Sequence, residues 1–292
     1  MDERLELLLM LKEEEVASYM EDSLSDFYEE VFRKKGDYIY VIGDTDRCPY
    51  CLVAHMDTVR DESKPIDLKK TRNMVTNRHG ILGADDRAGV YAITKIIERL
   101  DSSSLPSILL THGEESGGLG AIQFVHDRIW SGKDTLFIEL DRKGGNEYVT
   151  YGYRPNKVLR RYLGSFGYIE NHGTFSDIAI LTEDLEVPGV NLSVGYYDQH
   201  THRERLHLDE LEMTIQRVAA MCREPLRKRY RVHMESRLPW YWPKRPKITG
   251  KKNNSFHCNS CPQKLHSVGD MVECSYFGWV SKEDAQACPL TV

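Results

Sequence analysis

The chain has 292 residues, 40% of them hydrophobic and 29% charged, which is typical of a soluble globular protein with one large or two small domains. No apolar run approaches the roughly 18 residues that would span a membrane, and the first residues lack the basic start and long apolar stretch of a secretory signal. We therefore expect a cytoplasmic protein that does not engage a membrane. The seven cysteines, an odd number, favour reduced thiols or metal ligands over a disulfide framework.

The net charge of −6 conceals an uneven distribution of charge along the chain. Residues 223–252 contain eleven Lys or Arg against two Glu, so the rest of the chain is acidic. Repeated prolines and the cluster Trp240-Tyr241-Trp242 argue against a long helix in this region. We predict a domain over residues 1–222, an extended basic linker over 223–256 and a cysteine-rich module over 257–292.

The hydrophobic pattern of the first domain predicts alternating helices and strands. Helices are predicted over residues 3–34, 90–100, 119–127, 156–163, 173–181 and 208–222. Strands are predicted over residues 37–43, 51–56, 107–111, 135–140, 148–153 and 190–194, with a loop or short hairpin over 60–80. This alternation is typical of an open α/β sheet flanked by helices, in which the ligand site lies beyond the carboxyl ends of the strands.

Side chains that can bind a metal stand at four successive strand ends or strand–turn ends. They are His55, Asp85, the pair Glu114 and Glu115, and Asp141. Each has a plain explanation, since carboxylates at the start of a helix, such as Asp85 and Asp86, also serve as caps. Four such ends in succession favour a shared site. Because a strand has a period of two, His55 and Asp57 lie on the same side, where one can bind a metal while the other orients it.

Five motifs of the chain resemble those of the co-catalytic di-zinc exopeptidases, a group that includes zinc aminopeptidases, peptidase T and glutamate carboxypeptidase-like enzymes. They are Ala54-His55-Met56-Asp57, Gly83-Ala84-Asp85-Asp86-Arg87-Ala88-Gly89, Gly113-Glu114-Glu115-Ser116-Gly117, Glu139-Leu140-Asp141 and His200-Thr201. The resemblance covers about residues 37–222, and the motifs come in the order that the family has. It implies the zinc exopeptidase fold, with an open, mixed, mostly parallel sheet.

The resemblance also implies roles for individual residues. One zinc would be bound by His55 and Asp141, a second by Glu115 and His200, and Asp85 would bridge the two. Asp57 would orient His55, and Glu114 would be the general base. These residue types suit the chemistry, because zinc takes nitrogen and oxygen ligands, a pair of ions can polarise a carbonyl and acidify a water, and a separate carboxylate must move the proton. A cis peptide bond is expected between Asp85 and Asp86.

Many relatives carry a lid or dimerisation domain between these motifs. Here the corresponding gaps are residues 58–84 and 142–199, which are too short for such a domain, so we predict a minimal core without one. Substrate specificity must then come from loops. The candidates are the tyrosines at 148, 151, 153, 196 and 197, most of which could equally pack within the strands.

Two assignments have local alternatives. His202 and His207 lie close to His200, which we prefer as the ligand because Thr201 and Glu204 match the residues that follow it in relatives. The pair Ser176-Asp177 resembles a helix start of aminopeptidase relatives, and it can equally be a plain helix N-cap.

The tail predicts a structural zinc in a zinc-ribbon-like module. Its candidate ligands are Cys258, Cys261, Cys274 and Cys288. Either His257 or His266 could replace one cysteine, because the second half of the pattern is not a CxxC motif. In a rival arrangement the CxxC pair of Cys48 and Cys51 completes the tail zinc site. Cys222 is predicted separately to be a buried small hydrophobe.

The leading functional hypothesis is a zinc-dependent amide hydrolase, an aminopeptidase that acts on short peptides through a metal-activated water. An N-acyl-amino-acid deacylase or a carboxypeptidase would use the same site. A third interpretation is a protein that binds nucleic acid or another protein through residues 223–292, because a basic, Trp-rich linker before a zinc module can be an electrostatic tether. The plain alternative for this segment is a solvated linker with a stabilising appendage.

Overall fold

The computed structural model describes residues 1–226 completely and the backbone of residues 264–268, 271–274 and 278–281. The chain forms two compact units, Met1–Glu235 and Ser236–Val292. The predicted linker beyond residue 226, the cysteines at 258, 261 and 288, and the side chain of Cys274 lie outside the described residues. The predicted domain boundaries and the tail zinc therefore stay predictions.

Seven α-helices form within residues 1–226. They are α1 (Glu3–Met10), α2 (Glu13–Ser25), α3 (Ala84–Ile97), α4 (Leu119–Asp127), α5 (Lys157–Ser165), α6 (Asp177–Leu185) and α7 (Leu208–Arg223). Side-chain caps begin several of them: Asn156 accepts hydrogen bonds from the N–H groups of Val158 and Leu159, and Ser176 accepts one from Ile178. No helix among the described residues is both long and apolar enough to cross a membrane.

An eight-stranded sheet forms the centre of the first unit. Its strands are β1 (Phe32–Lys34), β2 (Tyr38–Val41), β3 (Tyr50–His55), β6 (Ser107–Thr111), β7 (Leu136–Arg142), β8 (Glu147–Val149), β9 (Ile169–Glu170) and β10 (Gly189–Ser193). Their order is β1-β2-β6-β3-β7-β10-β8-β9. The four central strands, β6, β3, β7 and β10, are mutually parallel. The predicted open, mixed, mostly parallel sheet flanked by helices is confirmed.

Helices cover both faces of this sheet. Helices α1 and α7 pack on α3, which lies against β3 and β7, while α4 and α6 pack on each other and against β6, β7 and β10. Alternate residues of β2 point to the two layers: Ile39 and Val41 belong to the larger core, whereas the Tyr40 ring contacts Phe124 of α4 at 4.9 Å. The strands are therefore buried on both sides and read as continuous apolar runs.

A second, four-stranded antiparallel sheet lies in the loops. It consists of β4 (Leu68–Lys70), β5 (Met74–Asn77), β11 (Tyr196–Tyr197) and β12 (Arg205–His207), in the order β11-β12-β5-β4. The hairpin alternative for residues 60–80 is thus the one that forms. In the second unit, residues Lys264–Val268 (β13), Met271–Cys274 (β14) and Gly278–Ser281 (β15) form an antiparallel sheet of their own.

The prediction that residues 3–34 are helical throughout is wrong. The chain leaves the helical conformation at Leu11 and Lys12, whose ψ angles are 145° and 163°, before α2 begins. The guanidinium of Arg60 donates to the carbonyls of Leu9 and Leu11, which the end of α1 would otherwise leave unpaired. After α2 the chain forms the edge strand β1 instead of continuing as helix. Hydrophobic periodicity cannot reveal a break that a distant arginine stabilises.

The strand predicted over residues 148–153 is shorter than expected. It ends with β8 at Val149, and the Thr150 hydroxyl then donates to the carbonyl of Tyr153 at 3.0 Å, which closes a turn. The Tyr153 hydroxyl donates in turn to the Gly189 carbonyl at 2.7 Å. Tyr153 therefore packs within the fold and does not lie in a substrate loop.

Candidate metal centre

The predicted residues at the ends of β3, β6 and β7 converge at one edge of the large sheet. These strands are adjacent and parallel, with His55 opposite Thr111 of β6 and Val53 opposite Glu139 of β7. The carboxyl ends of the three strands therefore meet, and their polar side chains share one space. All of the residues that we predicted for the core site lie there.

Asp57 ties the end of β3 to the turn after β6. Its carboxylate accepts hydrogen bonds from the backbone N–H groups of Glu114 and Glu115 at 3.2 and 3.1 Å. Its Oδ1 also lies 3.3 Å from Nδ1 of His55, which leaves Nε2 of this histidine to face the site. Burial alone would raise the pKa of Asp57, but the contacts with His55 and with the two N–H groups lower it below its ordinary value.

Asp85 lies between the two predicted histidines. Its Oδ1 is 3.1 Å from Nε2 of His55, and its Oδ2 is 3.1 Å from Nε2 of His200. The peptide bond between Asp85 and Asp86 is cis, as expected. The buried Glu204 carboxylate accepts hydrogen bonds from the N–H groups of Gly83 and Asp85 at 2.8 and 3.0 Å, so it holds the loop that carries Asp85.

Asp141 completes the half of the site around His55. Its Oδ1 lies 3.4 Å from Nε2 of that histidine and accepts a hydrogen bond from the Tyr196 hydroxyl at 3.0 Å. The Asn191 side chain accepts from the Asp141 N–H at 3.1 Å and donates to its carbonyl at 3.2 Å. Strand β10 thus holds the backbone of Asp141, and Tyr196 of β11 contacts its carboxylate.

His200 is the histidine that reaches the site. Its Nε2 lies 2.8 Å from Oε1 of Glu115, and its backbone is in the left-handed region, with a φ of 62°. His207 instead packs against Tyr197 with the rings tilted and 5.0 Å between their centroids, and His202 is exposed. The geometry therefore agrees with the preference for His200 over its two neighbours.

The donor set fits divalent cations. Three overlapping groups have ligand atoms that lie within 4.8 Å of one another: His55 with Asp85 and Asp141, His55 with Glu114 and Glu115, and Asp85 with Glu115 and His200. Imidazole nitrogen and carboxylate oxygen are zinc ligands, and Asp85 offers one oxygen to each histidine. Two adjacent ions that share Asp85 are therefore compatible with the residues present.

Electrostatics inside the cluster lead to the same conclusion. Burial and then the Asp85 carboxylate raise the pKa of Asp141 to about 7. Burial raises the pKa of Glu114 well above its ordinary value, and the Asp141 charge adds to this effect. Hydrogen bonds with Asp85 and Glu115 raise the pKa of His200 to about 10. Carboxylates this close repel one another, and a divalent cation among them would remove that repulsion.

The site opens into a cavity of about 550 Å³. Two of the five candidate tyrosines, Tyr151 and Tyr196, line it. The others serve the surrounding structure, since the Tyr148 hydroxyl donates to Glu170 and the Tyr197 hydroxyl to Glu210. Sequence reasoning could not separate the cavity-lining tyrosines from the others, because the alternation of side chains along a strand does not say which face of the sheet borders a cavity.

Sequence reasoning gave Asn191 and Glu139 no role of their own beside the site. Asn191 is a polar residue within the buried strand β10, and this was the signal that the sequence offered for it. Glu139 is fully buried two residues before Asp141, and burial raises its pKa well above the ordinary value. In the pair Ser176-Asp177 the serine is the N-cap, while the buried Asp177 accepts a hydrogen bond from Thr111 of β6.

Three cysteines of the first unit are buried and free of disulfide bonds, namely Cys48, Cys51 and Cys222. Cys51 lies in the first half of β3, at the other end of the strand from His55. The rival tail-zinc arrangement with Cys48 and Cys51 depends on residues outside the described part of the chain and stays a prediction. Burial of Cys222 agrees with its predicted role as a small hydrophobe.

No protein-family model and no curated protein sequence matches this chain significantly. Solved structures share its fold. The aminopeptidase PepT from Bacillus cereus is 17% identical, with a TM-score of 0.63 over 76% of this chain and 97% of that one. A tripeptidase from Staphylococcus aureus is 15% identical, with a TM-score of 0.59 over 75% and 96%. An aminopeptidase from Desulfurococcus kamchatkensis is 12% identical, with a TM-score of 0.58 over 76% and 94%. The first unit of this chain therefore has the fold of these peptidases.

Proposed function

We propose that this protein is a zinc-dependent amide hydrolase, an aminopeptidase that acts on short peptides. The observation that carries the proposal is the position of Asp85, with one oxygen 3.1 Å from His55 and the other 3.1 Å from His200. A carboxylate placed in this way suits two ions that share it. The peptidase fold and a cavity of about 550 Å³, a size suited to a small ligand, support a peptide substrate.

In this proposal five residues hold two zinc ions. His55 and Asp141 would hold the first ion, Glu115 and His200 would hold the second, and Asp85 would contribute to both. The chemistry that two bound zinc ions supply is polarisation of the scissile carbonyl and acidification of a water.

Glu114 is the general base of the proposed reaction. Its carboxylate oxygen lies within 4.8 Å of ligand atoms of His55 and Glu115. Its side chain is buried, and a carboxylate that is not needed as a ligand can accept a proton from water and pass it to the leaving nitrogen. Asp57 holds the turn by accepting hydrogen bonds from the backbone N–H groups of Glu114 and Glu115.

The experiment that tests the proposal compares wild type, Glu114→Gln and the control Glu186→Gln, all loaded with zinc. Glu186 is exposed and lies at the end of α6, outside the candidate site. A pool of free, N-acylated and C-terminally varied peptides is incubated with each protein, and products are identified by mass spectrometry. Bound zinc is measured in parallel.

We expect wild type and Glu186→Gln to remove N-terminal residues. Glu114→Gln should bind the same amount of zinc and be slower by roughly 10²- to 10⁴-fold, the usual contribution of a general base. Removal of acyl groups or of C-terminal residues would replace the substrate assignment and keep the site. Full activity of Glu114→Gln, or no bound zinc in wild type, would refute the proposal.

A further inference from the structure

The cavity beside the candidate metal centre has one basic wall. Arg142 and Lys143 follow Asp141 directly in the chain, and both line the cavity. Arg142 is nearly buried, with 14% of its side chain exposed, and its Nη2 donates to Glu147 at 2.9 Å. Its buried Nε has no hydrogen-bond partner among the described residues. We call Arg142 and Lys143 the basic wall.

Lys143 has no ion-pair partner in the described part of the chain. Its side chain is exposed, and the contact it makes is through its backbone carbonyl, which accepts a hydrogen bond from the Ser193 hydroxyl. The pairing of Arg142 with Glu147 offsets one positive charge and holds the guanidinium in place. A guanidinium has five N–H donors, and Glu147 accepts from one nitrogen of Arg142.

Four carboxylates and the two cations of the basic wall line the cavity. The carboxylates among its described lining residues are Asp85, Glu114, Glu115 and Asp141, and all four have roles in the proposed function. Two zinc ions would neutralise their four negative charges. Lys143 then remains as an exposed positive charge, and the described lining residues include no further carboxylate.

We propose that the basic wall binds a substrate carboxylate close to the scissile amide. This inference rests on the proposed function, because it assigns the substrate class of the same site. A peptide would lie with its amine towards the acidic metal side and its carboxylate towards Arg142 and Lys143. The planar guanidinium suits a carboxylate in two-pronged contact, and the exposed ammonium adds charge at the rim. The carboxylate can be the free C-terminus of a di- or tripeptide or the side chain of an acidic N-terminal residue.

Two pairs of substrates separate these sources. Ala-Ala-Ala and its C-terminal amide differ in the terminal carboxylate alone, and Glu-Ala-Ala-amide and Gln-Ala-Ala-amide differ in the side-chain carboxylate alone. Each is measured with the full zinc-loaded chain as wild type, as Lys143→Gln, as Arg142→Gln and as the control Lys157→Gln. Lys157 is an exposed residue of α5 outside the cavity lining.

We expect the wild type to prefer the carboxylate member of at least one pair, through a lower KM. Lys143→Gln should raise that KM by roughly tenfold, the effect of losing a charge-assisted contact, with kcat and the amide substrate nearly unchanged. Added salt should raise the same KM, because an exposed charge is screened. Lys157→Gln should behave as wild type. Lys143 is exposed, so its replacement keeps the test valid even if Arg142→Gln folds poorly.

Binding is measured separately by calorimetry, with the same peptides added to zinc-loaded Glu114→Gln and to its double variant with Lys143→Gln. Hydrolysis of all four peptides without any carboxylate preference would overturn the basic wall and leave the proposed function standing. Carboxylate-dependent binding that Lys143→Gln weakens, without hydrolysis by wild type, would keep the basic wall and refute the proposed function. Binding that is equal for acids and amides would also overturn the inference.

Discussion

Gly89 stands where helix α3 touches strand β7, and its replacement by alanine should destabilise the protein. A Cβ atom at this position would meet the carbonyl oxygen of Leu140 and both carboxylate oxygens of Asp86 at less than contact distance. Asp86 is itself held in place, because it accepts the N–H groups of Gly89 at 2.9 Å and of His55 at 3.2 Å. Neither obstacle is the free end of a flexible side chain, so the helix and the strand must separate.

The magnitude follows from two opposing terms. Overpacking a close contact costs about 1–3 kcal/mol, and a clash with backbone belongs at the upper end of that range. Alanine also gains about 1 kcal/mol over glycine within a helix. We therefore expect Gly89→Ala to lower the free energy of unfolding by about 2 kcal/mol, and Tm by about 4–8 °C for a domain of this size. Zinc affinity should fall as well, since α3 carries Asp85 and β7 carries Asp141.

Gly164→Ala is the matched control. Gly164 is an exposed position of helix α5, where an added Cβ meets nothing within 4 Å. The same chemical change should there stabilise the protein by about 0.5–1 kcal/mol through helix propensity alone. Both variants are measured by guanidinium unfolding and calorimetry. If Gly89→Ala is as stable as Gly164→Ala, the close approach of α3 and β7 does not limit this fold.

Four further outcomes are expected. Glu204→Gln should lower the free energy of chemical unfolding by about 1–3 kcal/mol. The glutamine NH₂ group cannot accept a hydrogen bond, so one of the two backbone N–H groups that the carboxylate paired loses its acceptor. Unchanged stability would contradict this. Chelation should lower the Tm of the zinc-loaded protein and zinc should restore it; a constant Tm would count against bound metal. Zinc affinity, measured by calorimetry, should rise from pH 6 to pH 8. Neighbouring carboxylates raise the pKa of His200 to about 10 and burial raises that of Asp141 to about 7, so zinc must displace protons from both. An affinity that falls over this range would refute the prediction. Asn156→Ala should cost about 1 kcal/mol by loss of the α5 cap, with no change in zinc affinity.

The convergence of the candidate ligands was predictable from the sequence, because several of them stand at the ends of parallel strands. Apolar runs that stop at His55, Glu114 and Asp141 already indicate parallel strands with polar ends, and parallel strands place such ends together. The cis peptide bond after Asp85 and the choice of His200 as a ligand were expected from the resemblance to zinc exopeptidases, and the geometry agrees with both.

Local pattern also determined most helix starts and the open α/β class. Caps act over two or three residues, so Asn156 and Ser176 can be recognised in the chain itself. The tertiary structure alone decided the rest, because those features depend on residues far apart in sequence. The helix break after Met10 needs Arg60, and the support of Asp141 needs Asn191. A binding role for Lys143 can likewise be inferred only when the residues that share its cavity are known.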